Sequence, residues 1–265
     1  MLKGYTLPRT PKGISSLAPT PPWHYVGNCL VVEYEAKPDA VKSFLPPGLD
    51  FTSAQCAVYF VEWQYVSEAG NEYLDPVTSQ YHETIFLVSA GYEGSPVSFC
   101  PFIWVDQDVS LMRGHAQGWP KQIGSTWMTR AYDLPSKATP VIGPGGKFGA
   151  SLAVKDRRVA EAVITLEGET SSPPSPGFAK AVNTRHFPEL AAGKHGSPAV
   201  YELVQLKSRD VMISPIWKGS ADLKVYDHPH LEIAELAPER VIAGYRFSAA
   251  ITVDDLVFLR DLRDK

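Results

Sequence analysis

The sequence predicts a mainly β (α+β) protein, a closed antiparallel β cone or barrel with a few helices packed on its outside. Three observations lead there. Segments rich in β-branched and aromatic residues recur along most of the 265-residue chain. Short turn-rich stretches separate several of them, as hairpins require. Helical patterns are confined to three places.

Residues 1–23, rich in Pro, Lys, Thr and Ser, read as an extended arm that packs over something else. Strand patterns follow at 28–35, 57–65, 83–92 and 97–105, where NCLVVEYE, AVYFVEWQY, ETIFLVSAGY and VSFCPFIWV are strongly apolar. TWMTRAYDL (126–134), FGASLAVK (148–155) and RVAEAVITLE (158–167) continue the series. AVYELVQLK (199–207), ADLKVYD (221–227) and RVIAGYRFSAAITV (240–253) close it. YEGSP (92–96), GPGGK (143–147) and VKDRR (154–158) read as hairpin connections. Helices are expected over 38–45, where Pro38 sits near the start, and over 106–117, which begins with Asp cap candidates and ends near Gly118. A third is expected over 254–263. SSPPSPG (171–177) is too short to divide the chain, so 1–265 is expected to form a single domain.

Composition excludes several classes of function. The net charge of −4, with acids and bases mixed along the chain, gives no footprint for nucleic acid or an anionic membrane. The three cysteines are odd in number and far apart, so they read as buried thiols of a reducing compartment. There is no apolar leader and no apolar run near the roughly 18–20 residues a bilayer span needs, so a cytoplasmic location is expected. GPGGKFG (143–149) fails as a phosphate loop because Val141 and Phe148 stand where Gly and Ser or Thr are required. DHPH (227–230) is a poor chelate without further ligands.

GWPKQIG (118–124) poses the sharper question. Lys121 sits beside a large aromatic, in a turn stiffened by Gly118, Pro120 and Gly124. One reading is a stem laid over Trp119 with its ammonium in water. The other is a nucleophilic amine. A free lysine has a pKa near 10.4, and bringing it to about 7 takes about 4 kcal/mol, which burial or a second cation can supply. Trp119, with Phe102 and Trp104 from the strand before the helix, is expected to wall such a site and bind substrate.

RGHAQGWPKQIG (113–124) resembles the active-lysine segment of the acetoacetate decarboxylase-like superfamily, in which a helix leads into an aromatic-Pro-Lys turn followed by glycine. SPAVYELV (197–204), DVMISPIWKGSADLKVYDH (210–228) and ELAPERVI (235–242) are similar to its C-terminal half. The resemblance implies a closed antiparallel β cone around a hydrophobic pocket, a homo-oligomer, and Schiff-base catalysis by Lys121 on a keto acid. No cofactor or metal is implied, because the lysine iminium is itself the electron sink.

The same resemblance exposes departures. The decarboxylases carry a second lysine after the reactive one, where this chain has Gln122. Their arginine aligns near Gly27, and their glutamates near Tyr59 or Val61 and near Gln80. Glu62 is one residue off and so is expected on the opposite strand face. In their place SQYHETI puts Tyr81 and Glu83 two apart, on one face of a strand, where a hydroxyl and a carboxylate can bind a substrate oxygen and move protons. Gln117, four residues before Lys121, is placed to offer an amide to a substrate carboxylate. The expected function is a pyruvate aldolase-dehydratase joining the keto acid to an aldehyde with loss of water, or the reverse. The alternatives are a decarboxylase of acetoacetate or a larger β-keto acid, and a barrel that binds a hydrophobic carboxylate without turning it over.

Overall fold

A computed structural model describes residues 1–263. Within them one twelve-stranded sheet dominates. Its strands are β1 (Trp23–Glu35), β2 (Asp50–Ser67), β3 (Gln80–Tyr92), β4 (Ser95–Val105), β5 (Lys121–Ile123) and β6 (Ser125–Met128). They continue as β7 (Lys147–Val154), β8 (Arg157–Thr170), β9 (Val182–Pro188), β10 (Pro198–Ile213), β11 (Ile216–Val225) and β12 (Arg240–Asp261). The helices are α1 (Pro38–Phe44), the single turn α2 (Pro76–Ser79) and α3 (Asp108–Gln117). No helix among the described residues is long and apolar enough to cross a membrane.

The mainly β expectation holds, but the expected closed barrel does not. The hydrogen-bonded order runs β5-β4-β3-β2-β1-β12-β11-β8-β7-β6, with β10 joining β12 to β9, and the path is open. The two ends of the path, β5 and β6, are consecutive in the chain with only Gly124 between them. A hairpin needs at least a two-residue loop, so these strands cannot fold back on each other to close the ladder. The sheet still curls until Thr126 of β6 meets Thr84 of β3 through their hydroxyls at 2.6 Å. Nor is it wholly antiparallel, since β5 runs parallel to β4.

Curling buries both faces, which explains the near-continuous apolar strands. On β2, Val58 and Phe60 pack into one core, while Tyr59, Val61 and Trp63 pack into another on the opposite face. The turns follow their sequence chemistry at Glu93–Gly94 and Lys155–Asp156, where φ is positive at both residues of each pair. The three cysteines are buried and free.

Several expectations need correction. Residues 254–263 do not form a helix: β12 runs through to Asp261, with Leu256 opposite Leu206 and Phe258 opposite Val204, and Asp254 bound to Arg209 at 2.9 Å. Pairing along β10 overrides the local helical pattern. TWMTRAYDL is a strand only to Met128, and β9 had no clear strand signal of its own. GPGGK is a turn leading into β7 rather than a hairpin, and it is held by the Gly145 N–H bond to the Leu166 carbonyl. The N-terminal segment is not extended. Lys3 pairs with Thr10, Ala18 is buried, and Tyr5 sits edge-on to Trp23.

Asp106 does not cap α3 either. It accepts the His82 backbone N–H at 2.8 Å and faces His82 Nδ1 at 2.7 Å, tying the start of β3 to the end of β4. Glu62 lies on the other side of that imidazole at 3.6 Å and pairs with Arg130 at 2.9 Å. Hydrogen bonding to Asp106 and Glu62 pushes His82 up to about 9. The imidazolium therefore stabilises the fold fully below the unfolded value near 6.5, and this contribution fades as pH rises through about 9. With partial solvent screening it is worth about 2 kcal/mol. Melting temperatures of the wild type and His82→Gln should differ at pH 6 and converge by pH 9.5. A constant difference would refute the assignment.

Candidate active site

The site is built where α3 hands the chain to β5, with β3 supplying the facing side chains. Alternation along β3 turns Tyr81, Glu83 and Ile85 to the same face as Trp63 of β2. Ser110, Arg113, Gly114 and Gln117 fall on one side of α3 by helical spacing. Gly118 ends the helix with φ +87°, its N–H bonding to the carbonyls of Gly114 and His115. A glycine is needed for a second reason, because a Cβ there would meet Val204 at 2.8 Å. Three residues on, Lys121 enters β5 opposite Ile103, and His115 Nε2 lies 2.8 Å from its backbone carbonyl.

The Lys121 side chain runs under α3 and is 8% exposed. Its Nζ lies 2.6 Å from Glu83 Oε2 and donates to Ser110 Oγ at 2.9 Å. Glu83 is 4% exposed, and its other oxygen accepts the Trp63 indole N–H at 3.0 Å. The ring of Tyr81 lies against the amine, with 5.5 Å from Nζ to its centroid.

Burial pulls the Lys121 amine below the ordinary lysine value; Glu83 opposes this, and Arg113 adds to it. Burial, then the charge of Glu83, holds the Tyr81 phenol well above its usual range, so its hydroxyl keeps its proton and can donate.

A cavity of about 60 Å³ opens beside the amine. That is room for about four or five water-sized groups, the scale of a short keto acid. Its walls are largely apolar, from Trp63, Ile85, Ile103, Trp119, Phe178 and Leu206, while Tyr25, Gln117 and Ser208 add polar atoms. Gln117 Nε2 is buried without a hydrogen-bond partner at the edge of this space. An amide so placed is ready to donate to a carboxylate. The arrangement can take up a carbonyl compound, shuttle protons at it and exclude water.

Lys121, Glu83, Tyr81, Gln117 and Trp119 thus come together as the sequence suggested. Phe102 and Trp104 do not. They stack on each other at 5.7 Å in the opposite core, against Phe44 and Phe86, because Ile103 takes the site-facing position on β4. Glu62 also faces away, as its offset predicted. Gln122 is exposed, on the side of β5 opposite the buried Lys121. Gly27 has no room for a side chain, since a Cβ would meet the Trp63 ring at 2.6 Å.

The sequence reading missed Trp63, Ser110 and Arg113. For the last two a signal existed: their spacing with Gln117 is that of one helical face aimed at the lysine. Trp63 gave none, since it lies in an uninterrupted apolar strand.

With this geometry in view, known proteins can be set beside the chain. The acetoacetate decarboxylase family model matches residues 6–262. The acetoacetate decarboxylase of Chromobacterium violaceum is 21% identical over 95% of this chain and 92% of its own. The enduracididine biosynthesis enzyme MppR, solved with the condensation product of pyruvate and imidazole 4-carboxaldehyde, is 38% identical, with a TM-score of 0.93 over 99% of this chain and 98% of its own. An acetoacetate decarboxylase-like enzyme from Sphingomonas wittichii RW1 shares the fold at 23% identity, with a TM-score of 0.89 over 98% of this chain and 100% of its own.

Proposed function

The chain belongs to the acetoacetate decarboxylase family, and we propose that within it this protein is a single-domain, Schiff-base-forming pyruvate aldolase-dehydratase. The observation that carries the reading is the buried Lys121–Glu83 pair, at 2.6 Å, at the head of a small apolar cavity. The 38% identity to MppR, which binds pyruvate and its aldehyde condensation product, supports it.

Glu83 relieves Lys121 of its proton, and the free amine attacks the keto carbon of pyruvate. Glu83 returns that proton to the carbinolamine oxygen, which leaves as water and gives the iminium. Gln117 Nε2 holds the carboxylate, using the donor that has no partner in the protein. Glu83 then removes a proton from the methyl carbon. The enamine that forms attacks the aldehyde carbon, and Tyr81 donates to the developing alkoxide. Loss of water and hydrolysis of the imine release the unsaturated keto acid and restore the lysine. Run backwards, these steps are hydration and retro-aldol cleavage.

Packing at Gly27 weighs against acetoacetate decarboxylation, because the decarboxylases' arginine aligns near this position and a side chain here is blocked by Trp63. The enzyme is expected to assemble as a homo-oligomer in the cytoplasm.

The test is borohydride trapping with pyruvate, read by intact mass and peptide mapping. A reduced pyruvate adduct on Lys121, absent from Lys121→Ala, is the expected result. An adduct from acetoacetate with release of CO₂ would favour the decarboxylase instead. A folded protein that traps neither acid would leave the lyase reading without support.

A further inference from the structure

Arg113 lies in α3, and its side chain is 1% exposed. Its three guanidinium nitrogens make no well-directed hydrogen bond, the neutral Tyr65 phenol lies beside them, and no carboxylate pairs with the charge among the described residues. A buried charge left in this state is costly. What surrounds it is aromatic. The guanidinium carbon lies 3.6 Å from the ring centroid of Tyr65, 5.3 Å from Tyr25, 5.8 Å from Trp23 and 6.0 Å from Tyr81. Such a cage holds a cation by its ring faces without neutralising it.

The field of this uncancelled charge falls on the reactive amine. Arg113 and Lys121 flank one ring, each within 6.0 Å of the Tyr81 centroid. The groups facing Lys121 are few. Glu83 and Tyr81 approach from β3, Cys100 lies on β4, and Ser110 and Arg113 come from α3, with Tyr25 of β1 against Arg113. Glu83 is the only carboxylate among them, and it favours the ammonium. Gln122 cannot offset it, being neutral and exposed on the other side of β5.

We propose that Arg113 supplies, from helix α3, the second positive charge that eases the loss of the Lys121 proton to Glu83. The aromatic cage is the means by which that charge stays uncancelled. Arg113 does not line the cavity, so it is a positioning residue that acts through Lys121. The assignment rests on the reading of Lys121 as a nucleophile, but it is tested on the amine alone.

The experiment is the pH dependence of Lys121 acetylation by acetic anhydride, mapped by mass spectrometry, in the wild type, Arg113→Met and Arg113→Lys. Folding of each variant is checked by near-ultraviolet circular dichroism. Loss of one charge at this range shifts the midpoint by roughly one pH unit. Arg113→Met should therefore acetylate at higher pH, its midpoint moved up by roughly one unit, and Arg113→Lys should stay near the wild type. Arg113→Gln carries the same expectation as Met should the Met variant not fold. An unshifted midpoint in Met or Gln overturns the proposal, as does a Lys variant shifted as far as they are. Because acetylation needs no keto acid, failure to trap pyruvate would remove the lyase reading and leave this result standing.

Discussion

Glu83→Gln is expected to lower turnover by about 10²- to 10⁴-fold while leaving the pyruvate adduct trappable. The substitution keeps the shape of the side chain, and the amide oxygen can still accept the Trp63 indole N–H that Glu83 Oε1 accepts at 3.0 Å. What it removes is the proton carrier 2.6 Å from the amine. It also removes the one carboxylate that favours the ammonium form of Lys121, so the amine loses its proton at lower pH than in the wild type. Imine formation therefore survives, slowed by the loss of the acid that protonates the carbinolamine, and the carbon–hydrogen step after it fails. The measurement is exchange of the pyruvate methyl protons with deuterated solvent, followed by NMR without any aldehyde, beside borohydride trapping. Exchange that slows with trapping intact places Glu83 at the carbon–hydrogen bond. Unchanged exchange would hand that role to another group. Tyr81 is a poor candidate for it, since burial and the charge of Glu83 keep its phenol protonated.

How much of this was legible in the sequence depends on where each residue sits. Tyr81 and Glu83 could be placed together because a strand has a period of two and one alternation relates them. Gln117 could be tied to Lys121 because the helix and its glycine stop are local. Phe102 and Trp104 were misplaced for a related reason. Both faces of β4 are apolar, so hydrophobicity does not say which face meets the lysine, and a one-residue error in facing exchanges the two cores. The same ambiguity hid Trp63.

The C-terminal segment shows a different limit. Its pattern allows a helix, and only the long pairing of β12 with β10, 50 or so residues away in sequence, makes it a strand. Closure of the sheet was likewise unreadable, because it turns on the single residue between β5 and β6. Arg113 lay in plain view within the lysine segment. Its significance, a cation without an anion, is a property of what surrounds it in space.

Gly114→Ala tests the packing that this whole arrangement depends on. In an exposed helix the change would be favourable by about 1 kcal/mol, since alanine is the better helix former. Here the added methyl carbon would lie 2.2 Å from Lys121 Cδ, 2.6 Å from Cγ and 2.7 Å from Cε. The lysine stem cannot step aside cheaply, because it is pinned at both ends. Its carbonyl meets His115 at 2.8 Å, and its amine meets Glu83 at 2.6 Å and Ser110 at 2.9 Å. Overpacking of this kind costs about 1–3 kcal/mol, so the helix-propensity gain is offset or exceeded and the protein still folds. The effect on chemistry is larger. A displacement of about 1 Å at a reacting group is enough for about 10²-fold, and the clash requires at least that much. The expected outcome is a folded protein with a modestly lowered melting temperature, whose pyruvate adduct forms at least about 10²-fold more slowly. An alanine variant that traps pyruvate at the wild-type rate would mean that the lysine does not reach Glu83 beneath this helix, and the site drawn around it would have to be rebuilt.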